Sequence, residues 1–256
     1  MNFEVILVAL NSLEDLNKIL EKSFNLADKF NSNIEILYVE EKALFDVNEL
    51  IEGSNFDKDL IKQKINDTVK NYTNNNIPIF VKISDTASRV WDLARDRENI
   101  LIVTKYNQYT SDIIANNSNS FLILKDIKDS YQKIAVVINS LDINNCISLI
   151  KENISNDIEL IYNFDYTPYI DPIEPLSSIN IADSDFLLEN GQEEFNKLLK
   201  KLNLNGKFFI NNHLEEEHIA NYINNFDLIV GCELKEDLID TLNIILNNSK
   251  RDIFIL

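Results

Sequence analysis

The chain alternates between short, almost continuous apolar runs and longer stretches in which apolar residues recur every three or four positions. Continuous apolar runs are typical of strands that are covered on both faces, and the longer spacing is typical of amphipathic helices. The pattern predicts helices over 12–30, 57–73, 86–99 and 191–203. Strands that alternate with helices indicate right-handed crossover connections and a parallel sheet.

The apolar runs of the first half return in the second half, in the same order and with offsets of 124 to 132 residues. The matching runs are 5–14 with 134–142, 33–41 with 157–165, 77–84 with 206–212, 99–104 with 226–231, and 120–124 with 252–256. Five pairs in one order indicate that a whole domain is duplicated. The predicted fold class is therefore α/β, with two consecutive five-stranded parallel-sheet α/β sandwich domains over 1–128 and 129–256.

The composition is that of a globular protein with an acidic surface. The 256 residues include 24 Lys and Arg against 42 Asp and Glu, which gives a formal net charge of −18. Nucleic acids and anionic membranes are bound through clusters of Lys and Arg, so neither is an expected partner. The opening MNFEVILVALNSLED has no basic region before its apolar run, and no run reaches the length of a bilayer. We therefore expect a cytoplasmic location.

The cysteines and histidines give no sign of a reactive or metal-binding site. Cys146 and Cys232 lie far apart without CxxC spacing, and predict neither a metal site nor a disulfide. His213 and His218 are five residues apart, a spacing that puts them on different faces of a helix. We therefore expect no bound metal and no catalytic residue.

Several segments resemble those of one known family. ILVALNSLEDLNKILEKSFNLADKFNSNIEILYVEE is similar to the first strand, first helix and second strand of the universal stress protein domain. LIVTK and FDLIVGC stand where the fourth strand of that domain ends, and DIIANNSNSFLIL and DTLNIILNNSKRDIFIL resemble its last helix and strand. The whole chain thus resembles a tandem universal stress protein. The resemblance implies the Rossmann-like fold of the adenine nucleotide alpha hydrolases and a stress-related role.

The glycine-rich motif of the ATP-binding members of that family is missing. After their fourth strand these members carry glycine, two residues, glycine, nine residues, then glycine with Ser or Thr, because glycines let backbone N–H groups approach phosphate. Here Thr104 replaces the first glycine, and Gly231 keeps that position in the second half with no further glycine after it. The acidic residue of the family at the end of strand one is replaced by Asn11 and Asn139.

The resemblance thus implies vestigial nucleotide pockets, whose candidate residues are Asn11, Thr104, Lys105, Asn139, Gly231 and Cys232. Lys105 is interpreted as a solvated loop lysine. The favoured hypothesis is a non-catalytic binding or regulatory module without a cofactor. The alternative is a nucleotide-gated switch that binds ATP in one half, with Gly231 and Cys232 against the ligand and Lys105 as a candidate phosphate contact in the other half. An adenylate-forming enzyme is disfavoured, because ALNSLEDLN and VINSLDINN lack a His- or Gly-rich motif.

Three features bear on partners. The strands 121–124 and 253–256 are wholly apolar and are predicted at sheet edges, so we expect the two domains to pair through them as an internal pseudo-dimer.

The long, proline-rich loop over 163–185 is interpreted either as a partner site or as a plain connection. Residues 131–256 carry 9 Lys and Arg against 21 acids, compared with 15 against 21 in residues 1–130, so a basic protein partner is a hypothesis.

Overall fold

The computed structural model describes residues 3–41, 56–165, 181–211, 216–232 and 239–256. The chain forms two compact units. Unit 1 comprises Met1–Asp129 together with Asp252–Leu256, and unit 2 comprises Ser130–Arg251. Most of the predicted loop over 163–185 lies outside the described residues, as does His213, so the partner role of that loop stays a prediction.

The described residues of unit 1 form strands and helices in alternation, with one further strand from the end of the chain. The strands are β1 (Val5–Leu10), β2 (Asn33–Glu41), β3 (Ile79–Ser84), β4 (Ile100–Lys105), β5 (Ser120–Leu124) and β10 (Asp252–Ile255). The helices are α1 (Leu16–Phe30), α2 (Lys58–Val69), α3 (Thr86–Ala94) and α4 (Thr110–Ala115).

These strands form a sheet in the order β3-β2-β1-β4-β5-β10. The first five are parallel, and β10 runs antiparallel to β5, with Ile253 opposite Ile123 and Ile255 opposite Phe121. Every residue of β5 and β10 is buried, in agreement with the continuous apolar runs that predicted strands there. The predicted α/β fold with a mainly parallel sheet is confirmed.

Aspartates set the starts of two helices in unit 1. Asp57 precedes α2, and its carboxylate accepts the N–H groups of Asp59 and Leu60, each at 3.0 Å. Asp85 precedes α3 and accepts the Ser88 N–H at 2.7 Å. Such caps satisfy N–H groups that have no partner inside the helix. The third helix ends at residue 94 instead of the predicted 99, and the chain turns before β4 begins.

The carboxylate of Asp252, at the start of β10, anchors the turn that follows β5. It accepts the backbone N–H groups of four successive residues, 125–128, at 2.7 to 3.4 Å. The side chain of Lys22 donates to the carbonyl oxygens of Lys128 and Asp129 in the same turn. Burial lowers the pKa of Lys22, and the nearby Asp252 carboxylate opposes that shift. We call Asp252, Lys22 and the turn 125–129 the Asp252 anchor.

Unit 2 repeats the alternation of strands and helices. Its strands are β6 (Lys133–Ile138), β7 (Asp157–Asp165), β8 (Asn205–Asn211) and β9 (Leu228–Gly231), and its helices are α5 (Asn144–Asn153), α6 (Ile181–Leu202), α7 (Glu216–Ile223) and α8 (Ile239–Asn248). The four strands are parallel, in the order β9-β6-β7-β8. This order places β6 and β9 side by side, as β1 and β4 are in unit 1.

The long helix of unit 2 differs from its prediction. The sequence pattern starts it at Gly191, whereas α6 begins ten residues earlier, at Ile181. Residues 163–165 of the predicted loop belong to β7, and 181–185 belong to α6. Gly191 is tolerated inside the helix because the ring of Phe164 packs against it: a Cβ atom at this position would lie 2.8 Å from Phe164 Cε2.

Four aromatic side chains pack together in unit 2: Tyr162, Phe164, Phe195 and Phe208, which we call the aromatic cluster. Phe195 of α6 contacts two of the other rings, with ring centroids 5.5 Å from Tyr162 and 6.1 Å from Phe208. Tyr162 and Phe164 belong to β7 and Phe208 to the neighbouring strand β8. Tyr162 and Phe164 both lie in the apolar run 157–165, with which the predicted loop over 163–185 overlaps, and they are strand residues that pack with Phe195 or Phe208 in the aromatic cluster.

Gly206 allows a close approach between the sheet of unit 2 and α6. A Cβ atom there would lie 2.7 Å from Phe195 Cζ, 2.7 Å from Leu199 Cδ2 and 2.8 Å from the carbonyl oxygen of Leu160. We expect Gly206→Ala to lower the free energy of unfolding by about 1–3 kcal/mol, because the backbone oxygen has little freedom to move away. Urea unfolding of the purified variant measures this loss.

Gly191→Ala is the matched control for this substitution. The added methyl group meets only the Phe164 ring, and alanine is favoured over glycine inside a helix by about 1 kcal/mol, which offsets the contact. We therefore expect a smaller loss of stability than for Gly206→Ala. Equal losses at the two positions would show that the close approach at Gly206 does not limit stability.

Candidate functional site

The carboxyl ends of β1 and β4 form one edge of the sheet of unit 1. The two strands are parallel neighbours, with Ala9 opposite Thr104. Asn11 follows β1, and Thr104 and Lys105 close β4, so the structure brings the three predicted residues of the first half to this edge. The connections after β1 and β4 lead to opposite sides of the sheet, and open α/β sheets bind ligands at such a crevice.

Lys105 is held at this edge by two carboxylates, an arrangement that we call the lysine clasp. Its Nζ donates hydrogen bonds to Asp15 Oδ2 and Glu14 Oε2, each at 2.8 Å. The bond to Asp15, followed by the one to Glu14, raises the pKa of Lys105, and the same bond lowers the pKa of Asp15. Lys105 is therefore ion-paired, and not the solvated loop lysine that the sequence favoured.

The lysine clasp is connected to the start of α1 through Asp15. This residue stands immediately before the helix, in the left-handed conformation with φ 55°, and makes no side-chain cap. Left-handed backbone is uncommon for residues other than glycine, and Asp tolerates it better than most. The carboxylate of Asp15 thus bonds Lys105 across the crevice while the backbone of Asp15 leads into α1.

The turn after β4, which contains no glycine, is closed by its own side chains and by β5. The Asn107 N–H donates to Thr110 Oγ1 at 2.9 Å, and the Tyr109 N–H donates to Asn107 Oδ1 at 2.8 Å. The Tyr106 N–H donates to the carbonyl oxygen of Leu124 at 2.9 Å, and the Thr110 N–H to that of Asn107 at 3.1 Å. Four amide groups of this turn are therefore engaged inside the protein.

A second cation, Lys125, stands beside the same turn. Its Nζ lies 3.9 Å from the centroid of the Tyr106 ring, a distance typical of a cation–π contact. Burial lowers the pKa of Lys125 to about 8. The sequence analysis did not select Lys125, although the adjacency of β4 and β5 indicates that residues following the two strands meet at one edge.

The equivalent edge in unit 2 lies at the ends of β6 and β9. Val137 is opposite Gly231, and the Cys232 N–H donates to the carbonyl oxygen of Val137 at 3.2 Å. Asn139 directly follows β6, so the three predicted residues of the second half also share an edge. Asn139 Oδ1 is buried and has no hydrogen-bond partner among the residues that the structure describes.

Cys146 and Cys232 form a disulfide, which the sequence analysis did not predict. Cys146 lies in the first turn of α5, and Cys232 follows β9, with a Cα–Cα distance of 6.1 Å. That distance is ordinary for a disulfide. The two cysteines are 86 residues apart in the sequence, and spacing alone does not show whether such distant cysteines lie close together in the fold. The available signal was that each cysteine follows one of two strands, β6 and β9, that the structure shows to be neighbours.

Two further properties concern the described segments as a whole. In those segments, no three His, Cys, Asp or Glu side chains cluster in a way that could hold a metal ion. None of the helices found there combines the length and the apolarity that crossing a lipid bilayer requires.

Solved structures with the same arrangement of strands exist, although no protein family model and no curated protein matches the sequence. A universal stress protein from Archaeoglobus fulgidus superposes with a TM-score of 0.59 at 10% identity, covering 98% of this chain and 95% of that one. The chain has a universal stress protein-like fold. A Pseudomonas aeruginosa protein provisionally designated a universal stress protein gives 0.60 at 12% identity, covering 99% and 93% of the two chains.

A third similar structure, from Pseudomonas aeruginosa, is of a protein whose function is unknown. It superposes with a TM-score of 0.61 at 11% identity, covering 99% of this chain and 92% of that chain. At such low identities the likeness concerns the universal stress protein-like fold alone.

Proposed function

We propose that this chain is a non-catalytic, universal stress protein-like binding or regulatory module that does not bind ATP. The observation that carries the proposal is the closed turn after β4. The amide groups of Tyr106, Asn107, Tyr109 and Thr110 are bonded within the protein. A triphosphate is held by backbone N–H groups that point into an open loop, so binding here would first require these four bonds to break.

The lysine clasp supports the same proposal through charge. Lys105 contributes one positive charge, and Glu14 and Asp15 contribute two negative charges within hydrogen-bond distance of it. The clasp as a whole is negative and repels an anionic ligand. In unit 2 the edge that corresponds to it carries the Cys146–Cys232 disulfide.

Thermal unfolding in the presence of ATP and Mg²⁺ tests this proposal. We expect millimolar ATP to leave the melting temperature of the protein unchanged. A ligand at 100 times its Kd adds about 2.7 kcal/mol of stability, and each kcal/mol raises the melting temperature by roughly 2–4 °C in a domain of 150–250 residues. The same measurement without nucleotide but with equal MgCl₂ controls for ionic effects.

A shift of several degrees with ATP would contradict the proposal and support the nucleotide-gated switch. Repeating the titration on Lys105→Ala would then locate the ligand. A shift that changes in this variant indicates binding at the edge of β1 and β4, whereas an unchanged shift indicates the second half, where Gly231 and Cys232 lie.

The stress-related role enters this proposal from the family resemblance. The cytoplasmic location enters it from the sequence pattern of the N-terminal segment and the apolar runs, and the internal pseudo-dimer from the apolar last strands. Within unit 1, β10 from the second half of the sequence is hydrogen-bonded to β5 from the first half. We propose a protein as the partner, and the excess of acidic residues in the second half favours a basic one.

A further inference from the structure

The Cys146–Cys232 disulfide spans the crevice of unit 2. β6 lies between β7 and β9, and the chain leaves β6 through α5 toward β7. The gap between β6 and β9 is therefore the topological switch point of this sheet, the place where open α/β sheets bind ligands. The disulfide joins the first turn of α5 to the residue after β9, and so closes this gap with a covalent bond.

Two restraints act on the first turn of α5: the disulfide, and the buried side chain of Ile143 just before the helix. The residue that precedes the helix, Ile143, provides no side-chain cap for the first N–H groups. Farther along, Ile147 and Ile150 are buried and hold the helix by apolar contact. An uncapped first turn frays readily once a tertiary restraint is removed, whereas the packed turns stay in place.

Asn139 provides an independent observation at the same gap. Its Oδ1 atom is buried, and no hydrogen-bond donor reaches it from the part of the chain that the structure describes. Buried polar atoms in native proteins are nearly always paired with a protein group, an ordered water or a ligand, so Oδ1 offers an acceptor at this gap. Asn139 as a whole is half-buried, and opening of the first turn of α5 would expose its Oδ1 atom to water or to a polar ligand.

We propose that Cys146 and Cys232 are a reversible redox pair whose disulfide keeps the crevice of unit 2 closed and whose reduction opens it. Cys146 is 7% exposed and Cys232 is 1% exposed, so Cys146 is the more accessible of the two to an incoming thiolate. The inference goes beyond the proposed function, because it concerns neither nucleotide nor protein partner.

The reducing partner is a low-molecular-weight dithiol. One of its thiolates attacks Cys146 Sγ and displaces Cys232 as a thiolate, which takes up a proton. The second thiol of the reagent then attacks the mixed disulfide and displaces Cys146 as a thiolate, which is protonated in turn. The reagent leaves as a cyclic disulfide, and two electrons have passed to the protein.

Reduction of the folded wild-type protein with dithiothreitol tests the proposal. Thiol titration without denaturant should give no free thiol before treatment and two per chain after it, and oxidised glutathione should restore the initial value. Hydrogen exchange followed by mass spectrometry should show peptides over 139–146 exchanging at least roughly tenfold faster after reduction. Peptides from the centre of β6 and β7 should be unchanged.

The Cys146→Ser, Cys232→Ser double variant is the matched control, and should exchange like the reduced protein with or without dithiothreitol. Peptides from α1 in unit 1 provide an internal reference in every sample. The proposal is overturned if native protein resists 10-fold molar excess of dithiothreitol. It is also overturned if reduction leaves 139–146 protected, or if β6 and β7 lose protection together with α5, since the bridge is then purely structural.

Discussion

Asp252→Ala is expected to lower the free energy of unfolding of unit 1 by about 3–5 kcal/mol. The carboxylate is fully buried and accepts four successive backbone N–H groups of the turn 125–128. Alanine leaves these four donors without their acceptor and removes the negative charge near Lys22. Urea unfolding followed by circular dichroism measures the loss, and hydrogen exchange assigns it to unit 1.

Two further variants separate geometry from charge at the Asp252 anchor. Asp252→Asn keeps an oxygen that can accept hydrogen bonds but removes the charge. It should therefore lower the free energy of unfolding by less than Asp252→Ala does, but still measurably. Asp129→Asn removes an exposed carboxylate from the same turn and should cost less than about 0.5 kcal/mol. If Asp129→Asn destabilised the protein as much as Asp252→Ala does, the loss of one negative charge near the turn would explain the effect, and not the loss of the hydrogen bonds to Asp252.

Phe195→Ala is expected to lower the free energy of unfolding of unit 2 by about 3–5 kcal/mol. Phe195 is 1% exposed and packs against Tyr162 and Phe208 in the aromatic cluster. The substitution removes a whole ring from a place that the strands β7 and β8 cannot refill, so a cavity remains. The loss is measured by urea unfolding, with tyrosine fluorescence reporting on the cluster.

Phe186→Ala is the control on the same helix. Phe186 is 63% exposed, so its truncation removes almost no buried surface and should change stability by less than about 0.5 kcal/mol. Comparable effects of the two substitutions would mean that α6 is held by something other than the aromatic cluster.

The alternation of apolar runs and amphipathic stretches was sufficient to predict the parallel α/β fold. A strand that is buried on both faces must be continuously apolar, and β1, β4 and β6 satisfy that requirement in the sequence itself. The start of α6 was missed because Gly191 is a typical helix boundary. Here the ring of Phe164, a distant residue in sequence, explains the glycine inside the helix.

Much less of the candidate site could be predicted. The positions of the candidate residues at strand ends were sufficient to group them in each half. The first three lie at the edge formed by β1 and β4, and the other three at the edge formed by β6 and β9. The partners of these residues depend on side-chain geometry: Glu14 and Asp15 reach Lys105 from about 90 positions away, as the separations of 91 and 90 residues show. The disulfide could not be predicted for the same reason, because no local sequence pattern marks two cysteines that lie 86 residues apart.

The position of β10 has a consequence for synthesis on the ribosome. Unit 1 is built from the beginning of the chain but takes its sixth strand from Asp252–Ile255. Until β10 emerges, the nascent polypeptide presents the apolar edge of β5 uncovered, and uncovered edges are templates for intermolecular pairing. Premature termination anywhere in the second half would therefore leave the first half unfinished as well.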